Sequence, residues 1–149
     1  MALPTITYPL YSILAKKSIM IKFAYTILYV KDVDASMRFY EEAFGLQRKF
    51  IAPGNVYGEL VTGATTLSFA QHELAASNLK DGFTESTPAA KPFGIEIGFT
   101  TDDVAGVYAH ALQMGAADEA APSVKPHGQT VAYVRDLDGF LVEICTSMD

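Results

Sequence analysis

Two stretches of this sequence decide its fold: residues 23–45, FAYTILYVKDVDASMRFYEEAFG, and residues 93–115, FGIEIGFTTDDVAGVYAHALQMG. Each begins with a short run rich in aromatic and β-branched residues, which is typical of a buried strand. An aspartate able to cap a helix follows, then an apolar stripe near a period of 3.6, then a glycine suited to a helix end. The chain therefore repeats a strand–helix unit, with helices predicted over residues 34–44 and 104–114.

Three short strands are predicted after each helix, at residues 47–51, 57–62 and 65–71 in the first half and 124–125, 130–135 and 140–146 in the second. Between the halves, residues 72–91 are rich in Ser, Asn, Gly and Pro and carry little apolar periodicity, which is typical of a linker. A short helix is expected within it, over residues 73–79. We expect a single domain over residues 20–147, divided into module one (about 21–72), a linker (about 73–91) and module two (about 92–147).

Composition narrows the class of protein. The chain has 149 residues, a net charge of −6 and no basic stripe, which argues against binding to nucleic acid. Its one cysteine, Cys145, cannot form an intrachain disulfide, so a reducing cytoplasm is the expected location.

The first nineteen residues are apolar but interrupted by Pro4 and Pro9, and their lysines follow the apolar run. That order argues against a secretory signal, and the run is too short for a membrane-spanning helix. We expect residues 1–19 to be either a packed N-terminal arm or the product of a misassigned start, with Met20 as the true first residue.

Two segments carry a family resemblance: YTILYVKDVDASMRFYEEAFGL at residues 25–46 and GQTVAYVRDLDGFLVEI at residues 128–144. Both are similar to the glyoxalase / bleomycin-resistance / extradiol-dioxygenase superfamily, also called vicinal oxygen chelate. The resemblance covers about residues 21–146. It implies an α+β fold in which two tandem βαβββ modules form curved mixed sheets around a cavity, and it implies a homodimer.

Metal-dependent members of that superfamily place ligands on the first and last strands of each module, usually His, Gln or Glu. Carried onto this chain, those positions fall on Tyr25, Ser68, Glu96 and Glu143. Two are carboxylates, and none is a histidine. Two carboxylates alone are a poor transition-metal site. We therefore expect no obligatory metal; if a divalent ion is bound, Glu96 and Glu143 are its ligands.

The same four positions have a metal-free interpretation. Buried glutamates need a hydrogen-bond partner, and the alignment of the two halves sets Tyr25 against Glu96, which predicts a Tyr–Glu bond. Two alternatives stay open: the glutamates satisfy each other or a tyrosine structurally, or one carboxyl of raised pKa binds a polar or cationic ligand group. A catalytic general-base role for Glu96 or Glu143 is a narrower form of the second.

Two further residues are candidates for ligand contact. His127 lies just before a strand that the resemblance places beside the cavity, and Tyr57 lies near a turn. Aromatic residues are common in ligand sites, which are mostly apolar with few polar groups. Cys145 is expected to be an inert buried thiol, because no histidine close to it in sequence suggests activation.

Three functions follow. The leading one is binding of a small organic molecule in the cavity without an obligatory transition metal. The alternative is a metal-dependent lyase, isomerase or dioxygenase of the same superfamily. The third is a partner-binding module whose function lies in its dimer surface.

Overall fold

A computed structural model describes residues 20–149. Expectations for residues 1–19 fall outside this part of the chain. Two βαβββ modules follow one another, as the repeat predicts, and each forms a four-stranded mixed sheet.

Module one contains β1 (Tyr25–Val30), α1 (Val33–Phe44), β2 (Gln47–Ile51), β3 (Tyr57–Val61) and β4 (Thr66–Gln71). Its sheet has the order β1-β4-β3-β2, with β1 parallel to β4 and the other neighbours antiparallel. A short helix, α2 (His72–Ser77), follows β4 and confirms the small helix expected at the start of the linker.

Module two contains β5 (Glu96–Thr100), α3 (Val104–Gln113), β6 (Ala117–Val124), β7 (Thr130–Arg135) and β8 (Leu141–Cys145). Its sheet order, β5-β8-β7-β6, repeats that of module one, again with a parallel pair (β5 and β8) at one edge. The residues between α2 and β5, residues 78–95, are called the linker below.

The helix ends follow from local chemistry. Asp32 accepts a hydrogen bond from the Ala35 amide at 3.0 Å and caps the start of α1. Gly45 ends it at φ 69°, a conformation that costs glycine little, and its amide donates to the Glu41 carbonyl. In module two Asp103 caps α3 in the same way, through the Gly106 amide.

The strand β6 is where the sequence prediction was wrong. Only residues 124–125 were expected to be extended, whereas the strand covers Ala117–Val124. Its sequence, ADEAAPSV, has low β-propensity, and its pairing with β7 is irregular around residues 118–123, a stretch that includes Pro122. Pairing with β7 therefore imposes this edge strand, and local preference does not.

One hydrophobic core joins the modules. Helix α1 packs on β3 and β4 of its own sheet and also on α3 of module two. The Phe44 and Phe99 rings lie 4.9 Å apart, which links α1 to β5. The turn between β7 and β8 also docks on α1, because the Tyr40 hydroxyl donates to Asp136 at 2.7 Å and the Ser36 hydroxyl donates to Asp138 at 2.6 Å.

The linker is held to both modules. Its Phe83 ring contacts Tyr29 of β1 edge-on, with centroids 4.8 Å apart. The buried Arg135 of β7 donates to the carbonyls of Thr87 and Ala90 in the linker, and to that of Gly139. Within residues 20–149, no helix is long and apolar enough to cross a membrane.

Candidate functional site

One face of each sheet packs against a long helix, α1 in module one and α3 in module two; the opposite face is called the open face below. In β1 the side chains of Leu28 and Val30 are buried, whereas Tyr25 and Ile27 are 52% and 43% exposed. Because side chains alternate along a strand, cross-strand partners share a face. The predicted site residues Tyr25, Tyr57, Ser68 and Glu143 therefore lie on open faces, as does Glu96 at the edge of the second sheet.

The open face of sheet two holds an acidic cluster of Glu96, Glu143 and Tyr133. Tyr133 on β7 is the direct partner of Glu143 on β8, and its hydroxyl donates to Glu143 Oε2 at 2.8 Å. Glu96 starts the neighbouring strand β5, two residues before the partner of Glu143, Gly98. Tyr133 is thus a member of the site that the sequence analysis did not identify.

The two carboxyls of this cluster titrate as a pair. A hydrogen bond with Glu143, together with partial burial and the charge of Glu143, raises the pKa of Glu96 to about 7. The same hydrogen bond holds the pKa of Glu143 below its usual range. At neutral pH the pair therefore retains a proton on Glu96 in a large fraction of molecules, while Glu143 stays ionised.

The neighbouring groups stay in their neutral forms. The bond to Glu143 raises the pKa of Tyr133 to about 12, so its phenol remains a hydrogen-bond donor. Burial raises the pKa of Cys145 to about 11, and its Sγ lies 3.7 Å from the Phe99 carbonyl. A thiol in this state is a weak nucleophile, which agrees with the expectation of an inert Cys145.

His127 lies at the rim of the acidic cluster, in the turn between β6 and β7. Its Nε2 is 2.7 Å from Gln129 Oε1, and Gln129 in turn donates to the Thr146 carbonyl. When charged, His127 contributes to lowering the pKa of Glu143, although it is the weakest of the causes. The histidine is exposed, so it can contact a ligand at this end of the sheet.

The open face of sheet one holds a second acid–phenol pair, formed by Glu59 and Tyr57. Glu59 is 6% exposed; it accepts from the Tyr57 hydroxyl at 3.0 Å and from Lys49 Nζ at 3.0 Å. Burial is the main reason that the pKa of Tyr57 is raised. Ser68 is the cross-strand partner of Glu59 and is fully buried.

Glu59 was missed by the sequence reasoning, yet a signal for it exists. It stands two residues after Tyr57 in the strand YGELV, so a period of two places both side chains on one face. The two modules place the acid of this pair on different strands. In sheet one the acid lies on β3 opposite a serine of β4, and in sheet two it lies on β8 opposite a tyrosine of β7.

The structure does not form the hydrogen bond expected between Tyr25 and Glu96. Within residues 20–149 the phenols that bond the site carboxylates are Tyr57 and Tyr133, each on the same face of the same sheet as its acid. The reason is the register: cross-strand and same-strand neighbours lie within reach, whereas Tyr25 and Glu96 belong to different sheets.

Two grooves lie at the junction of the modules, and one of them reaches the edge of the open face of sheet two. One of about 320 Å³ runs between β4 and β5 and includes Glu96, and another of about 490 Å³ lies between α1, α3 and β5. Neither is lined by Tyr25, Ser68 or Glu143. The four aligned positions thus lie on two separate open faces of one chain.

The side chains at these positions do not fit a resident transition metal. Among residues 20–149 no three His, Cys, Asp or Glu side chains are grouped so that they could hold an ion. Both oxygens of Glu59 already have partners, in Lys49 and Tyr57. The remaining donors are the Glu96–Glu143 pair, which lacks the nitrogen or sulfur ligands that zinc, nickel or iron sites commonly use.

The architecture is thus two βαβββ modules in tandem, with polar side chains grouped on two open sheet faces. A family model described as Glyoxalase/Bleomycin resistance protein/Dioxygenase superfamily matches residues 22–144. The chain therefore belongs to this superfamily, which confirms the resemblance drawn from residues 25–46 and 128–144.

Solved structures share the fold. A glyoxalase-related enzyme from Fulvimarina pelagi is similar with a TM-score of 0.75 and 21% identity, over 86% of this chain and 89% of that one. A lactoylglutathione lyase from Agrobacterium tumefaciens is similar with a TM-score of 0.62 and 22% identity, and the match covers 83% of this chain and 92% of that one. TioX from Micromonospora sp. ML1 (TM-score 0.62, 18% identity) is covered over 84% and 98%. No match was found among curated proteins.

Proposed function

We propose that this protein binds a small organic molecule, without an obligatory transition metal, in a cavity formed between module one of one chain and module two of a second chain in a cytoplasmic homodimer. The observation that carries the proposal is the Glu96–Glu143–Tyr133 cluster. Its carboxyls engage each other and a phenol on an open sheet face, where superfamily resemblance would place metal ligands.

The exposed apolar side chains support the dimer. Tyr25, Ile27 and Phe50 on the open face of sheet one are each more than two-fifths exposed. Apolar groups gathered on one face are a common feature of protein interfaces. The open face of sheet two of a second copy would cover this face and enclose the two polar clusters in one cavity.

The test combines metal analysis with ligand stabilisation. The purified protein is assayed for bound metal, before and after incubation with zinc, nickel, iron and manganese salts, and its melting temperature is then measured across a library of small organic compounds. We expect no stoichiometric metal. A ligand present at about one hundred times its Kd should add about 2.7 kcal/mol of stability.

The variant Glu143→Gln separates the proposal from the metal-dependent alternative. For a metal-free site we expect this variant to lose ligand stabilisation while its metal content stays at the background of the parent. Glu73→Gln, at an exposed acid on α2, is the matched control and should behave like the parent. Tight stoichiometric metal that Glu143→Gln abolishes, together with loss of a measurable activity, would establish the metal-dependent lyase, isomerase or dioxygenase instead.

Dimerisation is measured separately by sedimentation. A monomer at the concentrations that bind ligand would contradict the two-chain cavity. A dimer that no compound in the library stabilises would favour a protein whose function is its dimer surface.

A further inference from the structure

The charges on the open faces are unevenly balanced. On sheet one, Glu59 is neutralised by Lys49, whose ammonium lies 3.0 Å from Glu59 Oε2. On sheet two, no lysine or arginine among residues 20–149 forms an ion pair with Glu96 or Glu143. The phenol of Tyr133, which donates to Glu143, is neutral, so negative charge remains on this face.

The bases close to the acidic cluster are already engaged. Arg135 is buried, and its guanidinium donates to three backbone carbonyls in the linker and the β7–β8 turn, not to Glu96 or Glu143. His127 bonds Gln129 at the rim. An anionic ligand would therefore meet carboxylates that no lysine or arginine of residues 20–149 pairs with, and its binding would be opposed by charge.

The surroundings of the cluster suit an apolar body. Tyr133 lies beside Glu143, and the open face of sheet one, which the second chain would bring opposite, exposes Tyr25 and Phe50. Aromatic faces attract organic cations through the ring quadrupole, in addition to the apolar contact they offer.

Resting on the function proposed above, we infer that the ligand is an organic cation: an apolar or aromatic body with one protonated amine or amidine, whose N–H groups donate to the Glu96 and Glu143 carboxyls. Such a group supplies the donors and the positive charge that this face lacks. Tyr133 holds one oxygen of Glu143 in place, and the ammonium of the ligand would replace the proton that Glu96 and Glu143 share.

Three probes of one size and different charge test the inference: benzylamine as its ammonium ion, benzyl alcohol as the neutral analogue, and benzoate as the anion. Binding to the intact protein is followed by calorimetry at pH 7 and by amide shifts of β5, β7 and β8. We expect benzylammonium to bind at least tenfold more tightly than benzyl alcohol and benzoate not to bind, with affinity falling as salt is raised.

Two variants locate the charge. Glu143→Gln should weaken benzylammonium at least tenfold, and Glu96→Gln should weaken it less, while Glu73→Gln leaves it unchanged. Because the Glu96 and Glu143 side chains are partly exposed, these variants should fold, and circular dichroism with the melting temperature verifies that they do.

The outcomes separate this inference from the proposed function. Benzyl alcohol or benzoate binding at β5, β7 and β8 as tightly as benzylammonium would overturn the cation while leaving a metal-free binding site intact. Benzylammonium binding that Glu143→Gln and Glu96→Gln leave unchanged would also overturn it. Stoichiometric metal at the cluster would overturn the proposed function itself.

Discussion

The substitution Tyr40→Phe tests how the two modules are joined. Tyr40 is fully buried on α1, and its hydroxyl donates at 2.7 Å to Asp136 Oδ2 in the turn between β7 and β8. The other oxygen of Asp136 accepts from the amides of Asp138 and Phe140 at 3.0 and 2.8 Å. Loss of the phenol would leave one carboxylate oxygen buried between the modules without its donor.

The magnitude follows from the kind of bond. A hydrogen bond to a charged group contributes about 1.5–3 kcal/mol, and a buried acceptor left alone costs a similar amount. We therefore expect Tyr40→Phe to lower the free energy of unfolding by about 2–3 kcal/mol at pH 7, which corresponds to about 5–10 °C in Tm. Urea denaturation followed by circular dichroism measures the first quantity, and a thermal scan measures the second.

The stability lost on Tyr40→Phe should depend on pH, because Asp136 titrates in the folded protein. Burial raises the pKa of Asp136 from 3.8 to about 6, although the bond from Tyr40 opposes that rise. A raised folded pKa means that the folded state holds the proton more tightly than the unfolded chain does. Stability contributed by this group is therefore greatest below pH 3.8 and falls as the pH rises through about 6, by about 3 kcal/mol in all.

Because Tyr40 stabilises the ionised form, its loss should cost most above pH 6 and less near pH 4.5, where Asp136 is protonated. Tyr29→Phe removes the same atom from a tyrosine of β1 that packs on Phe83, and should cost under about 0.5 kcal/mol. A Tyr40→Phe cost below about 0.5 kcal/mol at pH 7, or one that is equal at pH 4.5 and pH 8, would refute this account of the junction.

Three further predictions concern the site and its supports. Glu143→Gln should return the pKa of Glu96 from about 7 toward its ordinary value of 4.5, as seen by NMR titration of its carboxyl carbon; a value unchanged near 7 would contradict the shared proton. Gly58→Ala should lose about 1–3 kcal/mol, because a Cβ there overlaps a buried methionine of α1, whereas Gly98→Ala enters open space and should lose far less; equal losses in urea denaturation would count against this packing. Arg135→Met should speed limited proteolysis of the linker, since two linker carbonyls lose their donor, and parental cleavage rates would show that the linker is held by other contacts.

Much of the fold could be read from local signals. The bounds predicted for β2 and β7 agree with the structure, and those for α1 and α3 differ by one residue at one end. The ends of the two helices are determined by local sequence, because the caps at Asp32 and Asp103 and the left-handed glycines act within a single turn of helix. Strand β6 has no comparable local signal: its residues have low β-propensity, and they are extended because they pair with β7.

For the site, the sequence by itself determined which residue types occupy the aligned positions: Glu96 and Glu143 are carboxylates, and none of the positions holds a histidine. Only the tertiary structure decided their partners: Tyr133 for Glu143, and Tyr57 with Lys49 for the unforeseen Glu59. The physical reason is range. Periodicity and capping act over a few neighbouring residues, whereas a hydrogen bond between side chains depends on strand register, which is set by packing of the whole sheet on its helix.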